Sequence, residues 1–135
     1  MNIDQLVATL RQADLQPLVF TCPGGGSFVV TPHGGRILGL FPSPGADNAY
    51  FVNPELSDRG HVQRYLQGEH VLGGDRLWIA PERGLFFRGN RLEDGVTDQR
   101  SIDPGNWIMG QRTDSCVRFV NDFAATYFLI PHSVV

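Results

Sequence analysis

The chain has 135 residues, a length that accommodates one domain and is too short for two ordinary ones. Apolar residues make up 41% of the sequence and charged residues 19%, so the chain can bury a core and is not disordered by composition. The net charge of −3 excludes a generally basic nucleic-acid-binding protein, and no nucleic-acid partner is expected.

The first predicted element is a short helix near the N-terminus. Four apolar residues recur at the spacing that places them on one helical face: Ile3, Leu6, Val7 and Leu10. Asn2 is a suitable N-cap for this helix, and Pro17 sets the latest residue at which it can end.

After Pro17 the pattern changes to that of strands and turns. Four strands are predicted in close succession, at residues 18–22, 27–31, 36–41 and 49–53. A second short helix is predicted over residues 58–67. Further strands are predicted at residues 76–80, 85–88, 107–111, 117–120 and 126–130, with a long polar loop over 90–105. This rhythm is typical of a mostly β domain, an antiparallel β-sandwich with a short N-terminal helix, spanning residues 1–135.

Several chemistries are disfavoured by residue counts. The basic residues are all arginine, so a Schiff base on a lysine side chain is excluded. Cys22 and Cys116 are too few for a disulfide framework or a zinc cluster, and the four histidines lack metal-ligand spacing, so neither a metal nor another cofactor is expected. No leader peptide is visible and no apolar run reaches the ~20 residues that span a bilayer, which predicts a cytoplasmic protein without a membrane partner.

The strongest candidate binding site lies in the segment that follows Gly73. If residues 75–80 form a strand, Arg76 and Trp78 project from one face, and Glu82 follows in phase. This combination suits a sugar, because an indole packs on the C–H face of a pyranose and charged groups hydrogen-bond its hydroxyls. Two neighbours complete the candidate sugar-binding set: Asp75 and His70. The competing interpretation is an edge strand with a surface Arg–Glu pair and a tryptophan that covers the sheet.

Two motifs carry a resemblance to a known family. Residues 34–40 read GGRILGL and lead to NAYFVNPE at 48–55, and residues 73–82 read GGDRLWIAPE. Over residues 17–110 the chain resembles the galactose mutarotase-like superfamily, which includes the aldose 1-epimerases, and the second motif is similar to one in an uncharacterised branch. The resemblance implies a β-supersandwich with a sugar cleft on its concave side. Since that fold uses about twice this many residues, it also implies that the chain is an N-terminal half.

The resemblance also bears on catalysis. Mutarotation needs an acid and a base, and the epimerases use a mid-chain histidine and a glutamate far toward the C-terminus. Only the arginine of the family's N-terminal glycine-rich loop has a counterpart here, Arg76. The resemblance therefore implies sugar binding rather than catalysis, and His70 and Glu82 are the candidate catalytic groups if the chain is an enzyme.

Three functions stay open. The leading hypothesis is a carbohydrate-binding domain that recognises a hexose-type sugar, and the alternatives are an aldose 1-epimerase-type isomerase and a non-catalytic interaction sandwich. The isomerase would act on a free or phosphorylated sugar, and the interaction sandwich would bind a protein through a sheet edge. A half-supersandwich exposes sheet edges and an apolar face, so a homodimer or higher oligomer is expected, with residues 127–130 at or near the contact.

Overall fold

The computed structural model describes residues 1–58, 72–80, 82–89, 92–97 and 99–128. Within these ranges the fold is mostly β, with two antiparallel sheets and a short N-terminal helix, as the sequence predicts. The elements are α1 (Ile3–Gln12), β1 (Leu18–Thr21), β2 (Ser27–Thr31), β3 (Arg36–Phe41), α2 (Glu82–Phe86), β4 (Ile108–Arg112) and β5 (Val117–Val120). Short helical turns lie at His33–Gly35, Pro54–Ser57, Leu92–Asp94 and Ser101–Gly105. Across the described ranges, no helix has the length and apolar character needed to cross a membrane.

The N-terminal helix begins at a capping box. The Asn2 side chain accepts a hydrogen bond from the Gln5 amide at 2.9 Å, and the Gln5 side chain accepts one from the Asn2 amide at 3.0 Å. The predicted apolar face is confirmed, because Leu6, Val7 and Leu10 are buried. Helix α1 therefore starts where its orphan amides find acceptors and packs through the stripe that its sequence marks.

The first sheet is an antiparallel meander in the order β1–β2–β3. Its three predicted strands are confirmed, with Leu18 opposite Val30 and Phe28 opposite Leu40. One face of this sheet packs on α1 and forms the main core, whose buried members include Leu6, Leu10, Leu15, Val29, Leu38, Phe41, Leu56 and Leu72. The connection between α1 and β1 is therefore attached to the same core at both ends, through the helix at its start and through the sheet at its end.

The fourth predicted strand, residues 49–53, does not form. The Asn48 side chain accepts hydrogen bonds from the Leu40 amide at 2.9 Å and the Tyr50 amide at 3.1 Å, and donates one to the Leu38 carbonyl at 2.9 Å. These bonds occupy the edge of β3 where a strand would pair, because a side-chain amide can replace a backbone partner. Of the segment, only Val52 makes a bridge, to Gly73.

The edge of β3 is instead extended by the segment around Asp75. The backbones of Ile37 and Asp75 exchange hydrogen bonds of 2.9 and 2.8 Å. Gly73 adopts a φ of +92°, and a Cβ on it would lie 2.2 Å from the Phe51 carbonyl oxygen. Glycine is required at this position because the backbone passes too close for a side chain.

The second half of the chain differs most from the sequence prediction. Of residues 85–88, predicted as a strand, Leu85 and Phe86 belong to α2 and Phe87 makes an isolated antiparallel bridge to Val96, since a short apolar run does not distinguish a strand from a buried helical turn. Leu85 and Phe86 are buried with Ile102 in a second, smaller core. Residues 76–80 and the described residues 126–128 form no strand. The predicted loop over 90–105 contains two helical turns in its described part, and residues 59–71, which hold nearly all of the second predicted helix, lie outside the described residues.

The second sheet is the hairpin β4–β5, which confirms two predicted strands. An apolar gap of about 290 Å³ separates it from the first sheet, lined by Phe28, Val30 and Ile37 on one side and Val117 and Phe119 on the other. The first three residues alternate with the core residues of β2 and β3, so the gap lies on the face turned away from α1. Five of the predicted strands are therefore present, in two antiparallel sheets, and a closed β-sandwich stays a prediction.

Candidate functional site

An open cleft of about 480 Å³ lies where three connections meet: the link between α1 and β1, the turn after β2, and the loop before β4. Its polar or aromatic lining residues are Asp14, Gln16, His33, Asn106 and Trp107. Small-molecule sites are concave and carry a few convergent polar groups, and this cleft has both features. It is the candidate functional site.

The first wall of the cleft is held by Leu15. The Thr31 hydroxyl donates a hydrogen bond to the Leu15 carbonyl, and the Leu15 amide donates to the Leu10 carbonyl at 3.0 Å. On either side of this buried residue, Asp14 and Gln16 adopt left-handed φ angles of 62° and 50°. The angle of Asp14 belongs to the Schellman motif that ends α1, since the Leu15 amide donates to the Leu10 carbonyl and the Asp14 amide donates to the Arg11 carbonyl. The two neighbours of the anchored Leu15, Asp14 and Gln16, therefore place their polar side chains at the rim of the cleft.

His33 lies in the turn that follows β2. Its amide donates to the Thr31 hydroxyl oxygen at 3.3 Å, which ties the turn to the same threonine that holds Leu15. Burial, and then the positive charge of Arg36, lower the pKa of His33 below its ordinary value of 6.5. At neutral pH the imidazole is therefore uncharged, with one nitrogen able to donate a hydrogen bond and the other able to accept one.

Trp107 lies directly before β4 and lines the cleft from the third of the three connections. Its indole packs against Gly35, which has a φ of +55°. A Cβ on Gly35 would lie 2.9 to 3.1 Å from three atoms of the fused indole ring, Cδ2, Cε2 and Cε3, so it would press on the ring face. The Trp107 indole N–H is buried without a hydrogen-bond partner among the described residues.

The loop that carries Trp107 is fixed by Asn121. The Asn121 side chain accepts a hydrogen bond from the Asn106 amide at 3.1 Å and donates one to the Ser101 carbonyl at 2.9 Å. The Ser101 hydroxyl in turn donates to the Ala124 carbonyl at 2.6 Å. These bonds connect the loop to the chain that follows β5, so residues directly after the hairpin hold the Trp107 wall of the cleft in place.

A cluster of two arginines and one carboxylate braces the same loop. Arg36 donates to Asp103 at 2.7 Å and to the Gly73 carbonyl at 3.2 Å, and its side chain is only 7% exposed. Arg76 pairs with the second oxygen of Asp103. Burial lowers the pKa of Arg36; the pKa of Arg76 is lowered by burial and by Arg36, while Glu82 acts in the opposite direction. Neither guanidinium lines the cleft.

The Trp78 indole is covered on both faces. The Arg76 guanidinium carbon lies 3.8 Å from the ring centroid, and the Phe86 ring stacks at 4.3 Å with an interplanar angle of 12°. Two groups so close to one centroid cannot share a face, so the indole lies between them. A pyranose could stack on Trp78 only if Arg76 moved away from it.

The predicted site residues are thus only partly brought together. Arg76 and Trp78 are in contact, on one side of the chain as the alternation predicted, and exposed Glu82 begins α2 near Arg76. Asp75 is exposed and contributes its backbone to the bridge with Ile37. His70 lies outside the described residues. The sugar-binding and catalytic roles of these residues stay predictions.

The cleft was not predicted from the sequence. His33 stands beside a pair of glycines, which was the only signal that could have pointed to it. Trp107 stands at the start of a predicted strand with nothing beside it to mark a site, and Asp14 and Gln16 belong to no recognisable motif. In the described part of the chain, no group of three or more histidine, cysteine, aspartate or glutamate side chains is arranged to hold a metal ion.

Comparison with protein-family models, with curated proteins and with solved structures finds no match to this chain. The resemblance to the galactose mutarotase-like superfamily therefore stays a prediction, carried by the two sequence motifs.

Proposed function

We propose that the chain is a carbohydrate-binding domain that holds a hexose-type sugar in the cleft. The observation that carries this proposal is the composition of the lining: an indole, an uncharged imidazole, a carboxylate and two amides around about 480 Å³. Each polar group suits hydroxyls, because carboxylate and amide oxygens accept their protons while amide and imidazole N–H groups donate to their oxygens. The indole offers apolar surface to the C–H face of the ring.

The anchoring of the cleft supports the same proposal. Leu15 and Thr31 fix one wall, and Asn121 and Asp103 fix the loop that carries the other. A preformed site reduces the ordering cost of binding. This matters for a sugar because the loss of water from its hydroxyls already offsets part of the binding free energy. The mutarotase-like motifs support the same ligand class from the sequence, with the surface of Arg76, Trp78 and Glu82 as the competing location.

The experiment that tests the proposal is saturation-transfer NMR with glucose, galactose and mannose on the full chain. Wild type should give saturation transfer to at least one hexose. The variant Asn106→Ala, which removes an exposed cleft amide, should lower the affinity for that sugar. The matched control Gln111→Ala removes an exposed amide from β4, outside the cleft lining, and should bind like wild type. Equal loss in both variants, or no binding in wild type, would overturn the proposal.

The isomerase alternative is favoured by one observation. The two titratable side chains that line the cleft, Asp14 and His33, are of the types that serve as general acid and base. Polarimetry on freshly dissolved α-anomers of glucose and galactose tests it. A mutarotation rate above buffer that is lost in His33→Gln would establish catalysis, whereas the buffer rate would leave binding as the function.

The proposal includes a cytoplasmic location and a homodimer or higher oligomer. The described part of the predicted contact segment packs on its own chain, because the Phe128 amide donates to the Gly84 carbonyl at 2.7 Å and Tyr127 lies against Gly84. Tyr127 is nevertheless 52% exposed and can contribute to a contact between copies. Light scattering on the purified chain tests the assembly, and a stable monomer at micromolar concentration would remove that part of the proposal.

A further inference from the structure

We propose that the cleft selects amino sugars, binding a hexose that carries a protonated amine more tightly than the corresponding neutral sugar. This inference rests on the proposed carbohydrate-binding function and specifies its substrate class. It follows from the distribution of charge around the cleft.

The carboxylate of Asp14 is the charge that lines the cleft at neutral pH. Among the described residues of the lining, the titratable side chains are Asp14 and His33. His33 is uncharged there, because burial and Arg36 lower its pKa. The nearby guanidiniums of Arg36 and Arg76 lie outside the lining and share the single carboxylate of Asp103, which leaves a positive charge behind His33 rather than in the cleft. Within the lining itself, the charge that a bound ligand meets is therefore the carboxylate of Asp14.

The backbone gives Asp14 a defined position at this rim. Its amide donates to the Arg11 carbonyl at 3.0 Å, and the next residue is the anchored Leu15. An ammonium beside this carboxylate gains a charge-assisted hydrogen bond, which a hydroxyl in the same place makes more weakly. A phosphate or carboxylate on the sugar would be repelled by the same group, so the phosphorylated and acidic sugars should bind worst.

The expected preference is modest because Asp14 is exposed to solvent. Exposed ion pairs are screened, and they contribute an affinity ratio of about fivefold at most. The preference should therefore shrink at high salt, where the Debye length falls to roughly 3 Å at 1 M. An uncharged acetamide in place of the amine should lose the advantage entirely.

The test is calorimetric or NMR titration of the full chain, near neutral pH and at low salt, with four sugars: glucose, glucosamine, N-acetylglucosamine and glucose 6-phosphate. Where galactose or mannose proves the better hexose, its corresponding derivatives replace them. We expect glucosamine to bind more tightly than glucose, by a factor of up to about five. We also expect N-acetylglucosamine to lack this advantage and glucose 6-phosphate to bind more weakly than glucose.

The matched variant is Asp14→Asn, which removes the charge and keeps the shape of the side chain. Asparagine is among the residues that best tolerate the left-handed backbone of position 14, so the variant should fold, and its thermal melt checks this. Whatever its affinity for glucose, this variant should bind glucosamine and glucose equally, so the preference is lost. The salt series and the acetylated sugar measure the same charge effect on the wild-type chain.

Two results would overturn the inference while leaving the proposed function in place. One is equal affinity of wild type for glucosamine and glucose, and the other is a preference for glucosamine that survives in Asp14→Asn. Failure of every hexose to bind would overturn the proposed function and this inference together.

Discussion

Replacing Gly35 by alanine tests how the cleft is built. The glycine has a φ of +55°, and an added Cβ would lie 2.9 to 3.1 Å from the Trp107 ring. The left-handed backbone costs an alanine about 1 to 2 kcal/mol. Pressing a methyl group on a packed ring costs about 1 to 3 kcal/mol more. We therefore expect Gly35→Ala to lower the free energy of unfolding by about 3 kcal/mol.

Two other glycines separate these costs. Gly45 has a φ of +78° and no neighbour within 4 Å of an added Cβ, so Gly45→Ala carries the backbone cost alone. Gly24 has neither a left-handed φ nor a neighbour within 4 Å, so Gly24→Ala should leave stability nearly unchanged. The difference in unfolding free energy between Gly35→Ala and Gly45→Ala, about 1 to 3 kcal/mol, measures the contact with Trp107.

Urea denaturation followed by circular dichroism gives the three free energies on one scale. In a thermal melt, the full effect of Gly35→Ala corresponds to a Tm lowered by about 10 °C for a chain of this size. The variant should also bind the sugar more weakly, because Trp107 must shift in the cleft. If Gly35→Ala is no less stable than Gly45→Ala, the indole does not pack on Gly35 and the described wall of the cleft is wrong.

Three further variants probe the supports of the site and the pH dependence of stability. Asp103→Ala leaves the buried Arg36 guanidinium without its carboxylate and should lower the free energy of unfolding, measured with urea, by about 3 kcal/mol. A wild-type denaturation midpoint would show that this ion pair does not stabilise the loop. Asn48→Ala removes three side-chain hydrogen bonds, two of them to β3, so the Leu40 amide should exchange its hydrogen faster, and an unchanged rate would be evidence against that pairing. The folded-state pKa of His33 lies below the unfolded value of 6.5, so the unfolded chain binds the proton first as pH falls. Its contribution to stability is therefore full above pH 6.5 and is lost as the pH falls below that value. His33→Gln should flatten the fall of the Tm below pH 6.5, and an unchanged profile would contradict the burial of the imidazole.

The elements that the sequence predicted correctly are those with local causes. The capping residue and apolar stripe of α1 lie within its own ten residues. The strands β1, β2 and β3 are joined by short turns rich in glycine and proline, so each partner is the next segment along the chain. Nothing distant is needed to specify them, and their bounds agree with the prediction to within one residue.

The predictions failed where contacts with residues outside the predicted segment decide its structure. Asn48 replaces a strand partner at the edge of β3, and the preference for this over a strand is not visible in residues 49–53 alone. Leu85 and Phe86 form a helical turn because Ile102 completes their core from elsewhere in the chain. Arg76 and Trp78 share a side as predicted, but Phe86 and the Arg76 guanidinium together cover both ring faces that a sugar could have used.

The candidate site was missed because it is assembled from three separate segments. Asp14 and Gln16, His33, and Trp107 meet only after the sheet and the loop before β4 are in place. Their spacing carries no motif, and the left-handed φ of Asp14 belongs to the end of α1 rather than to a site signature. Sequence reasoning proposed a sugar ligand through a resemblance and placed it on a different surface, beside Arg76 and Trp78.

The two tryptophans provide the most direct test of this account, because Trp107 lines the cleft and Trp78 belongs to the surface predicted from sequence. In a proton–nitrogen correlation spectrum each indole N–H gives one signal, and the variants Trp78→Phe and Trp107→Phe assign them. Titration with the best-bound hexose should shift the Trp107 signal and leave the Trp78 signal in place. A shift of the Trp78 signal with no change at Trp107 would contradict the account and place the sugar beside Arg76 and Glu82.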